Sequence, residues 1–402
     1  MNILLLCNKL PWPPNDGGSL ATYNMAKGLA GAGNRVDILA MQTSRHSSHT
    51  DVSDITIPGV DRVYSVFVDN RIKWNTLLVN LVNSSLPYNA ARYINTGFRE
   101  KLVSLLRERD YDVVQLEGLY LAPYLQDIRE FPGLIISYRA HNIEHRIWER
   151  FGRQSAGLIR KMYVGYQAER IRNFEQDFIN KYDLLVAISS DDLETLDGMG
   201  NSRPSAVAPF GVDNDAVQSA EYEGADELFL QFIGALDWMP NVEALEWFIN
   251  NVWECLRLKR PGLKFYVAGR NAGKNLVKKL TACGIDFLGE IENASGFISQ
   301  PGILVVPLFS GSGIRVRIIE AMWAGKAIVA SPAAIAGIPA DDGKHLIVAG
   351  DGETFTKSVE RLLDRVDKAR VIGTSAREFA LKYYNNGDIT RKVADFYKKH
   401  IG

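Results

Sequence analysis

Short apolar runs rich in Val, Leu and Ile recur along the first half of the chain, and segments with helical spacing of apolar residues separate several of them. Such runs are typical of buried parallel strands, and the segments between them predict the helices of βαβ units. The predicted strands are NILLLC, RVDILA, DVVQL, LIISYRA and LLVAIS, and the predicted helices span about 19–31, 98–109 and 156–182. This order predicts an α/β domain built on a parallel sheet.

The same alternation begins again after a turn-rich passage, NSRPSAVAPFGVDND at 201–215, which predicts a domain boundary. The strand LFLQFIGA leads to a helix with Asn241 as its predicted N-cap and an apolar face formed by Val242, Leu245, Ile249, Val252 and Leu256. The further predicted strands are KFYVAG, IDFLG, ILVVPL, KAIVAS and LIVAG, with a helix at 273–283 and helices after the last strand. We therefore predict the α/β class, with two Rossmann-like domains, 1–208 and 209–385, that face each other across a cleft.

Composition and charge narrow the class of protein. The 402 residues are 46% hydrophobic and 23% charged, which is ordinary for a globular protein with a sizeable core. With 46 basic and 47 acidic residues the net charge is −1, so nothing favours nucleic acid as a partner. The three cysteines, Cys7, Cys255 and Cys283, lie far apart without CxxC spacing. They indicate a reduced, cytoplasmic protein in which each cysteine packs as a small apolar residue.

Membrane association finds little support in the sequence. The first apolar run is about five residues long, below the roughly 7–15 of a signal peptide, and it predicts a first β-strand. No apolar run approaches the roughly 20 residues of a membrane helix. The stretch Arg71–Arg109 mixes Trp74, Tyr88 and Tyr93 with basic residues. Solvated helix faces explain this stretch better than peripheral membrane contact, which stays open as an alternative.

The loop PWPPNDGGSLATYN connects the first predicted strand to the first helix and carries Gly17 and Gly18. Glycines at this point can bring bare backbone close to a ligand, although a flexible turn explains them equally well. Neither GxGxxG nor GxxxxGK[ST] is present, which argues against an NAD site and a P-loop.

The segment RAHNIEH, 139–145, follows a predicted strand, and its residues His141, Glu144 and His145 fit the H-x-x-E-H pattern of some zinc peptidases. That pattern needs both histidines on one helix face and a third ligand. Here the first histidine adjoins a strand, and no third ligand is marked by its spacing. A histidine that lines a ligand-binding cleft is the preferred interpretation, and a structural, hydrogen-bonded histidine is the alternative.

The segment SGSGIRVRIIEAMWAGK, 310–326, joins the carboxyl end of one predicted strand to the start of a helix, where ligands bind in α/β sheets. Its small residues leave backbone N–H groups accessible, and the helix dipole favours an anion. Arg315 and Arg317 would add charge-assisted hydrogen bonds to phosphate. Glu320, about one and a half turns into the helix, can accept hydrogen bonds from the vicinal hydroxyls of a ribose. The alternative is an Arg317–Glu320 pair on a solvated helix face.

These segments together resemble the retaining GT-B glycosyltransferases of family four. The matching pieces, in chain order, are PPNDGGSLATYNMAKGLAGAGNRVDIL, RAHNIE, APFGVD, FIGALDWMPNVEALEWF and GSGIRVRIIEAMWAGKAIVAS. The resemblance implies that 209–385 binds a nucleotide-sugar and that 1–208 holds the acceptor. It also implies that a last helix, about 386–402, crosses back to the N-terminal domain, and that neither a metal nor a cofactor is needed.

By position, the resemblance implies that Glu320 is the ribose ligand, that His141 lies beside the donor sugar and that Gly18 faces the diphosphate. The family's first motif glutamate falls on Ser312, and the Arg and Lys that many members place after the first strand of the second domain are missing at 234–238. Arg315 and Arg317 are the predicted replacements. The catalytic residues predicted in this way are His141, Arg317 and Glu320, and the predicted donor-binding residues are Gly17, Gly18, Gly234, Arg270, Ser312, Gly313, Ile314, Arg315 and Val316.

The expected function is transfer of a sugar, with retention, from a nucleoside-diphosphate-sugar to a glycan or lipid-linked acceptor in bacterial polysaccharide or glycoconjugate synthesis. The enzyme is expected in the cytoplasm, with the inner face of the membrane as an open alternative. Two other functions compete with this one: a zinc peptidase built on HNIEH, and a catalytically silent module that binds nucleotide-sugars.

Overall fold

The computed structural model divides into two compact units, Met1–Gly211 with Asn386–Gly402, and Val212–Asn385. Each unit contains one parallel sheet, which confirms the predicted α/β fold with two domains. The residues that the structure describes are 1–14, 16–43, 55–71, 86–154, 157–213, 219–220, 228–310 and 315–401.

The first unit is built on a seven-stranded parallel sheet. Its strands are β1 (Asn2–Cys7), β2 (Arg35–Thr43), β3 (Arg62–Val68), β4 (Val113–Glu117), β5 (Ile135–Ala140), β6 (Leu184–Ala187) and β7 (Ser205–Val207). Their spatial order is β3-β2-β1-β4-β5-β6-β7, so the direction of winding reverses between β1 and β4. Ligands of such sheets bind beyond the carboxyl ends of the strands at this switch point.

Helices connect these strands. They are α1 (Gly17–Gly31), α2 (Tyr88–Ala91), α3 (Thr96–Glu108), α4 (Leu125–Arg129), α5 (Glu144–Gln154), α6 (Leu158–Phe178) and α7 (Ser190–Gly198). The helix predicted at about 156–182 is confirmed as α6, whereas α5, the first arm of the same hairpin, was not predicted. Gly157 precedes α6 with a φ of 89°, a left-handed backbone conformation that favours glycine and ends helical continuity.

Both faces of the first sheet are buried. Leu4 and Leu6 of β1 belong to one apolar cluster, whereas Ile3, Leu5 and Cys7 belong to the other. Because successive side chains of a strand point to opposite faces, an uninterrupted apolar run is what a strand covered on both sides requires. The apolar runs therefore predicted β1, β2, β4, β5 and β6 correctly, whereas β3 and β7 were not predicted.

The second unit has a six-stranded parallel sheet in the order β10-β9-β8-β11-β12-β13, and its switch point lies between β8 and β11. Its strands are β8 (Phe229–Ile233), β9 (Phe265–Ala268), β10 (Asp286–Gly289), β11 (Gly302–Val306), β12 (Ala327–Ala330) and β13 (Ile347–Val348). Its helices are α8 (Met239–Phe248), α9 (Glu254–Lys259), α10 (Lys274–Ala282), α11 (Ala294–Ser299), α12 (Val316–Ala324), α13 (Gly352–Leu363) and α14 (Val366–Tyr383).

The predicted N-cap of α8 is wrong. The helix begins at Met239 with Trp238 at the N-cap position, and Asn241 lies inside the first turn. The Asn241 side chain donates instead to the backbone oxygen of Ala235, at 2.9 Å. An asparagine in this sequence context can serve either as a cap or as a brace for the preceding loop, and here it braces the loop.

The last helix, α15 (Asn386–Lys398), belongs to the first unit, in agreement with the predicted fold. Its residues Ile389 and Tyr397 join the apolar cluster that includes α1, and the Tyr397 hydroxyl lies 2.9 Å from the Ser137 hydroxyl of β5. A Cβ atom added at Gly28 of α1 would lie 2.5 Å from Cγ2 of Thr390. Glycine at this position therefore allows α1 and α15 to pack closely.

Two smaller predictions have mixed outcomes. Cys7 is buried and Cys283 is partly buried, but Cys255 is exposed, so it does not pack as an apolar residue. In the stretch Arg71–Arg109, Tyr88 is buried and Tyr93 stacks on another tyrosine at the edge of the core. These rings therefore face the protein, and Trp74 lies outside the described residues.

No helix in the described part of the chain has the length and apolar character needed to cross a membrane.

Candidate functional site

The loop after β1 ends in two exposed glycines, Gly17 and Gly18, at the start of α1. Asp16 caps this helix, since its Oδ1 accepts hydrogen bonds from the backbone N–H of Gly18 at 3.1 Å and of Ser19 at 3.0 Å. Burial would raise the pKa of Asp16, but its bonds to Lys9 and Ser19 lower the pKa below its usual value. A Cβ atom at Gly18 would meet only the Asp16 carboxylate, at 3.5 Å. Packing thus does not require glycine at 18, and the open space allows a ligand to approach the backbone.

A buried carboxylate, Glu117, lies at the carboxyl end of β4, directly beside β1 at the switch point. It accepts hydrogen bonds from four side chains, namely those of Thr22 (3.1 Å), Arg139 (3.0 Å), His141 (2.6 Å) and Gln115. Because Thr22 belongs to α1, this network connects the glycine-bearing helix to the residue that follows β5. The structure therefore brings His141 and the start of α1 into one hydrogen-bonded group.

The charged side chains around Glu117 determine its protonation state. Burial alone would raise the pKa of Glu117, but the Arg139 guanidinium and His141 lower it to about 2. Glu117 is therefore ionised at neutral pH and acts as a hydrogen-bond acceptor. Since the His141 Nε2 atom lies 2.6 Å from Oε2 of Glu117, Nε2 must carry the proton of that bond. The other ring nitrogen, Nδ1, is then the one available to a ligand.

Glu117 and Arg139 are absent from the residues predicted from the sequence, although the sequence carries a signal for them. In β4 the polar residues Gln115 and Glu117 interrupt an apolar run two positions apart, and Ser137 and Arg139 do the same in β5. The register of the sheet pairs Gln115 with Ser137 and Glu117 with Arg139. Alternating polar residues in two buried neighbouring strands predict a polar network on one face of the sheet.

The two histidines of HNIEH have different partners. Whereas His141 binds Glu117, the Nδ1 atom of His145 lies 2.6 Å from the buried carboxylate of Glu175, on α6. Glu175 also accepts the backbone N–H of Glu144 at 3.1 Å, at the start of α5. Among the described residues no three His, Cys, Asp or Glu side chains are placed to hold a metal ion. His145 thus has a structural role, and the arrangement does not favour a zinc peptidase.

Glu144, the acid of the same motif, has an unusual environment. Its Oε2 accepts a hydrogen bond from the Tyr120 hydroxyl at 2.8 Å. Desolvation raises the pKa of Glu144 to about 7, and the nearby Glu175 carboxylate adds to this effect. Glu144 is therefore a carboxyl group that changes protonation near neutral pH.

At the switch point of the second unit, the loops after β8 and β9 approach each other closely. A Cβ atom at Gly269 would lie 2.0 Å from the backbone oxygen of Gly234, and one at Gly234 would lie 2.7 Å from Nδ2 of Asn241. The Leu236 N–H donates to the backbone oxygen of Arg270 at 2.9 Å. Loop packing therefore requires glycine at 234, independently of any ligand. This contact also brings the predicted residues Gly234 and Arg270 into neighbouring loops.

Arg270 itself lies just past the carboxyl end of β9, and its side chain is partly buried. Within the described ranges its guanidinium makes no hydrogen bond and no ion pair. The next residue, Asn271, has a φ of 57° and donates to Asp237 at 2.9 Å, which ties the β9 loop to the β8 loop. A cation at this position is available to an anionic ligand.

Arg315 precedes α12 and contacts the loop after β8. Its Nη2 donates to the Ser310 backbone oxygen at 3.2 Å, and its guanidinium carbon lies 5.6 Å from the centre of the half-exposed Trp238 ring. Val316 is the partly buried first residue of α12. The predicted donor-binding residues Ser312, Gly313 and Ile314 lie outside the described residues.

Arg317 and Glu320 form an ion pair on α12, with Nη1 of the arginine 2.7 Å from Oε2 of the glutamate. The Arg317 side chain is 39% exposed, but that of Glu320 is only 12% exposed. Desolvation raises the pKa of Glu320, although Arg317 opposes the shift. The Arg317–Glu320 pair of the alternative interpretation therefore exists, but the Glu320 side chain is largely buried and does not lie on a solvated face.

Comparison with known proteins decides the family. The model of the family described as Glycosyltransferase Family 4 matches residues 15–216, about half of the chain. The model described as Glycosyl transferases group 1 matches residues 228–365. The chain belongs to glycosyltransferase family 4. It is thus a glycosyltransferase, as the resemblance of its motifs predicted.

Relatives of this family 4 glycosyltransferase match nearly its whole length. An uncharacterized 44.6 kDa protein in the cps region of Klebsiella pneumoniae is 20% identical, over 97% of this chain and 98% of the relative. The sucrose-phosphate synthase of Thermosynechococcus elongatus matches with a TM-score of 0.72 and 14% identity, covering 99% of this chain and 98% of its own. Anabaena HepE, in complex with UDP and glucose, matches with a TM-score of 0.69 and 15% identity, covering 99% and 100%. These structural similarities confirm the GT-B fold.

Proposed function

We propose that this family 4 glycosyltransferase moves a sugar from a nucleoside-diphosphate-sugar to an acceptor hydroxyl with retention of configuration, and that it does so without a metal ion. The proposed acceptor is a glycan or a lipid-linked glycan in polysaccharide or glycoconjugate synthesis, in the cytoplasm. The complex of HepE with UDP and glucose supports a nucleoside diphosphate as the donor's leaving group.

The observation that carries this proposal is the set of side chains on α12. Arg315, Arg317 and Glu320 lie within the first turns of a helix that follows β11 at the switch point of the second sheet. A helix start favours an anion, and two arginines strengthen this preference. A carboxylate further along the helix suits the hydroxyl groups of a ribose. The order along the helix therefore matches the order of groups in a nucleoside diphosphate.

The same residues supply the chemistry of transfer. Negative charge develops on the diphosphate as the bond to the sugar breaks, and fixed cations in a poorly hydrated site stabilise this charge. Arg270 and Arg315 add to the charge of Arg317 at the carboxyl edge of the second sheet. We propose that these arginines take the role that a divalent ion plays in metal-dependent enzymes.

His141 is the proposed residue beside the donor sugar. Its ring is fixed by Glu117, which is in turn held by Arg139 and Thr22. A ring held in this way presents Nδ1 in one orientation. We propose that this nitrogen contacts the donor sugar as the bond breaks, and that Glu117 positions it.

Calorimetric titration with a nucleoside diphosphate and with the phosphate-free nucleoside tests the site on α12. Arg317→Ala should lower the affinity for the nucleoside diphosphate by about 10- to 150-fold, since a hydrogen bond to a charged group contributes roughly 1.5–3 kcal/mol. The affinity for the nucleoside should hardly change. Glu320→Ala should lower the affinity for both ligands, because both carry ribose.

Arg257→Ala is the matched control for Arg317→Ala. Arg257 also forms an i,i+3 pair with a glutamate on a helix of the second unit, and its side chain is equally exposed, at 39%. Its replacement should leave both affinities unchanged. If Arg317→Ala and Glu320→Ala bind the diphosphate as the wild type does, the pair is only a helix ion pair and the donor site lies elsewhere.

A further inference from the structure

A chain of hydrogen bonds leads from the last helix, α15, to the carboxylate that holds His141. It begins at the buried Tyr397, whose hydroxyl donates to Oε1 of Gln115 at 2.5 Å. The Gln115 amide donates in turn to Oε1 of Glu117. Since Oε2 of Glu117 lies 2.6 Å from Nε2 of His141, the last helix is connected to the imidazole ring through two side chains.

The two oxygens of Glu117 have different surroundings. Oε2 accepts hydrogen bonds from Thr22, Arg139 and His141. Gln115 donates to Oε1, and no other residue that the structure describes donates to this oxygen. A carboxylate held through one oxygen can still turn about that oxygen, and a bond to the second oxygen removes this freedom. Gln115 therefore fixes the plane of the carboxylate that holds the histidine.

The direction of each bond in the chain follows from the charge of Glu117. An ionised carboxylate only accepts hydrogen bonds, so Gln115 must present its NH2 group to it. The amide oxygen of Gln115 then faces Tyr397 and accepts the proton of its hydroxyl. Burial raises the pKa of Tyr397, so the hydroxyl keeps this proton at neutral pH. The Ser137 hydroxyl, 2.9 Å away, donates to the oxygen of Tyr397.

The hydroxyl of Tyr397 keeps Gln115 in its place. Without it, the amide oxygen of Gln115 would be buried without a donor, which is costly. A flip of the amide would not remove this cost, because the oxygen would then face the Glu117 carboxylate. Gln115 could regain a partner only by moving away from Glu117. The position of the carboxylate thus depends on a hydroxyl group of α15.

We propose that Tyr397 is a positioning residue for sugar transfer: through Gln115 and Glu117 it holds the His141 ring in the orientation that presents Nδ1. This proposal rests on the proposed role of His141 beside the donor sugar. Gln115 and Tyr397 are fully buried and Glu117 is only 4% exposed, so bulk water cannot replace a lost partner. The last helix thereby acquires a function beyond packing on α1.

Nitrogen NMR of the imidazole rings tests the positioning directly. The chain has six histidines, and the signals of His141 are those lost in His141→Ala. In the wild type the Nε2 proton of His141 should be observed, because its bond to Glu117 slows exchange with water. Tyr397→Phe should speed up this exchange by about 2- to 10-fold, the effect expected when one neutral hydrogen bond is lost. His145, which is held by Glu175, should keep its signals.

Turnover distinguishes positioning from donor binding. With the nucleotide-sugar that the wild type uses fastest, Tyr397→Phe should lower kcat by about 2- to 10-fold. The affinity for the nucleoside diphosphate released from that donor should not change. In a Gln115→Leu background, Tyr397→Phe should lower kcat no further, because the chain of hydrogen bonds is already broken.

Tyr182→Phe is the matched control for Tyr397→Phe. Tyr182 is also a buried tyrosine of the first unit, but its hydroxyl makes no hydrogen bond with any described residue. Its replacement should leave the exchange rate and kcat unchanged. Ser137→Ala gives a graded comparison, since it removes the donor to Tyr397 but spares the bond from Tyr397 to Gln115. It should therefore have a smaller effect than Tyr397→Phe.

Three results would overturn the proposal. The first is a His141 Nε2 proton that exchanges at the same rate in the wild type and in Tyr397→Phe, or that is unprotected in both. The second is an unchanged kcat in Tyr397→Phe when His141→Ala lowers it. The third is an equal fall in kcat from Tyr397→Phe with and without Gln115→Leu, which would mean that Tyr397 acts by another route.

Failure of the proposed function has a different signature. If His141 has no role in transfer, His141→Ala should keep the turnover of the wild type while Tyr397→Phe still speeds up exchange of the Nε2 proton. That combination would refute a catalytic role for the histidine and, with it, the part of the proposal that concerns transfer. The connection between Tyr397 and the imidazole ring would stand.

Discussion

Glu117 shows how a single buried carboxylate can organise residues that are distant in the sequence. Its partners include Thr22 of α1 and His141 after β5, and the strand neighbour Arg139 supplies a compensating charge. A buried carboxylate is tolerated only when it is paired and hydrogen-bonded, and Glu117 satisfies both conditions. The proposed role of His141 therefore depends on Glu117, which holds the imidazole ring in place.

His141→Ala tests this role at the level of one side chain. If Nδ1 of His141 aids charge development at the sugar, the replacement should lower kcat by about 100-fold or more and change nucleotide affinity much less. Turnover assays and calorimetry on the same preparation separate the two effects. His400→Ala is the control, because His400 is a partly exposed histidine of the first unit whose contacts are the backbone oxygen and the ring of Phe396. Unchanged turnover in a folded His141→Ala protein would leave His141 with a structural role.

At the scale of elements, the contact between α1 and α15 depends on a missing side chain. A Cβ atom at Gly28 would lie within 2.6 Å of two atoms of Thr390 and 2.9 Å from Nδ2 of Asn386, both buried residues. Gly31, one turn later on α1, would meet nothing within 4 Å. The two glycines therefore form a matched pair.

Replacing each glycine by alanine should have opposite effects on the free energy of unfolding. Gly28→Ala should destabilise the protein by about 1–3 kcal/mol, because the new methyl group overpacks a buried contact. Gly31→Ala should be neutral or stabilising by up to roughly 1 kcal/mol, because alanine favours the helix. Urea unfolding of the two variants gives the comparison. Equal effects of both replacements would show that α15 does not pack on α1 as described.

The elements that the sequence predicted correctly are those decided by local pattern. Apolar runs such as NILLLC predict strands because a strand covered on both faces needs no polar alternation. Sequence pattern does not predict features that tertiary contacts determine. Asn241 was assigned to a cap because the loop that it braces is not visible in the sequence.

At the scale of the whole molecule, Arg315, Arg317 and Glu320 could be proposed from the sequence as site residues because they lie in one contiguous segment, 310–326. The contact between Glu117 and Thr22 could not be predicted, because the two residues are 95 positions apart and the sheet order brings them together. Gly234 was placed in the site by resemblance, yet packing against the Asn241 side chain explains it. Sequence pattern thus predicted the charged groups, whereas the structure was needed to show which glycines have a role in packing.

The ionisation of Glu117 should also affect how the free energy of unfolding depends on pH. Its pKa is lowered from the usual 4.5 to about 2 in the folded state, so its contribution is present above pH 4.5 and is lost as the pH falls through 2. That contribution is about 3 kcal/mol at neutral pH. Glu144 has the opposite effect on the free energy of unfolding. Its raised pKa favours the folded state at low pH, and this stabilisation is lost as the pH rises through 7.

Comparison of the wild type with Glu117→Gln isolates the first effect. The variant should be destabilised by about 3–5 kcal/mol at neutral pH, because Arg139 loses its buried counter-charge. The difference between the two proteins should shrink as the pH falls through 2, because wild-type Glu117 itself becomes neutral in this range. Urea unfolding at a series of pH values measures it, and the exposed Glu353→Gln serves as a control that should show no such trend. A difference that stays constant with pH would mean that Glu117 is not held ionised by this network.

Release of nucleoside diphosphate from a panel of nucleotide-sugars, with and without excess EDTA, tests the central claim most directly. We predict that the wild type, given an acceptor extract, releases nucleoside diphosphate from at least one donor and that EDTA leaves the rate essentially unchanged. Arg317→Ala should slow this release, because stabilisation of the leaving diphosphate is lost. Donor binding without any release would indicate a silent binding module, and release that EDTA abolishes and Zn²⁺ or Mn²⁺ restores would contradict the metal-independent mechanism.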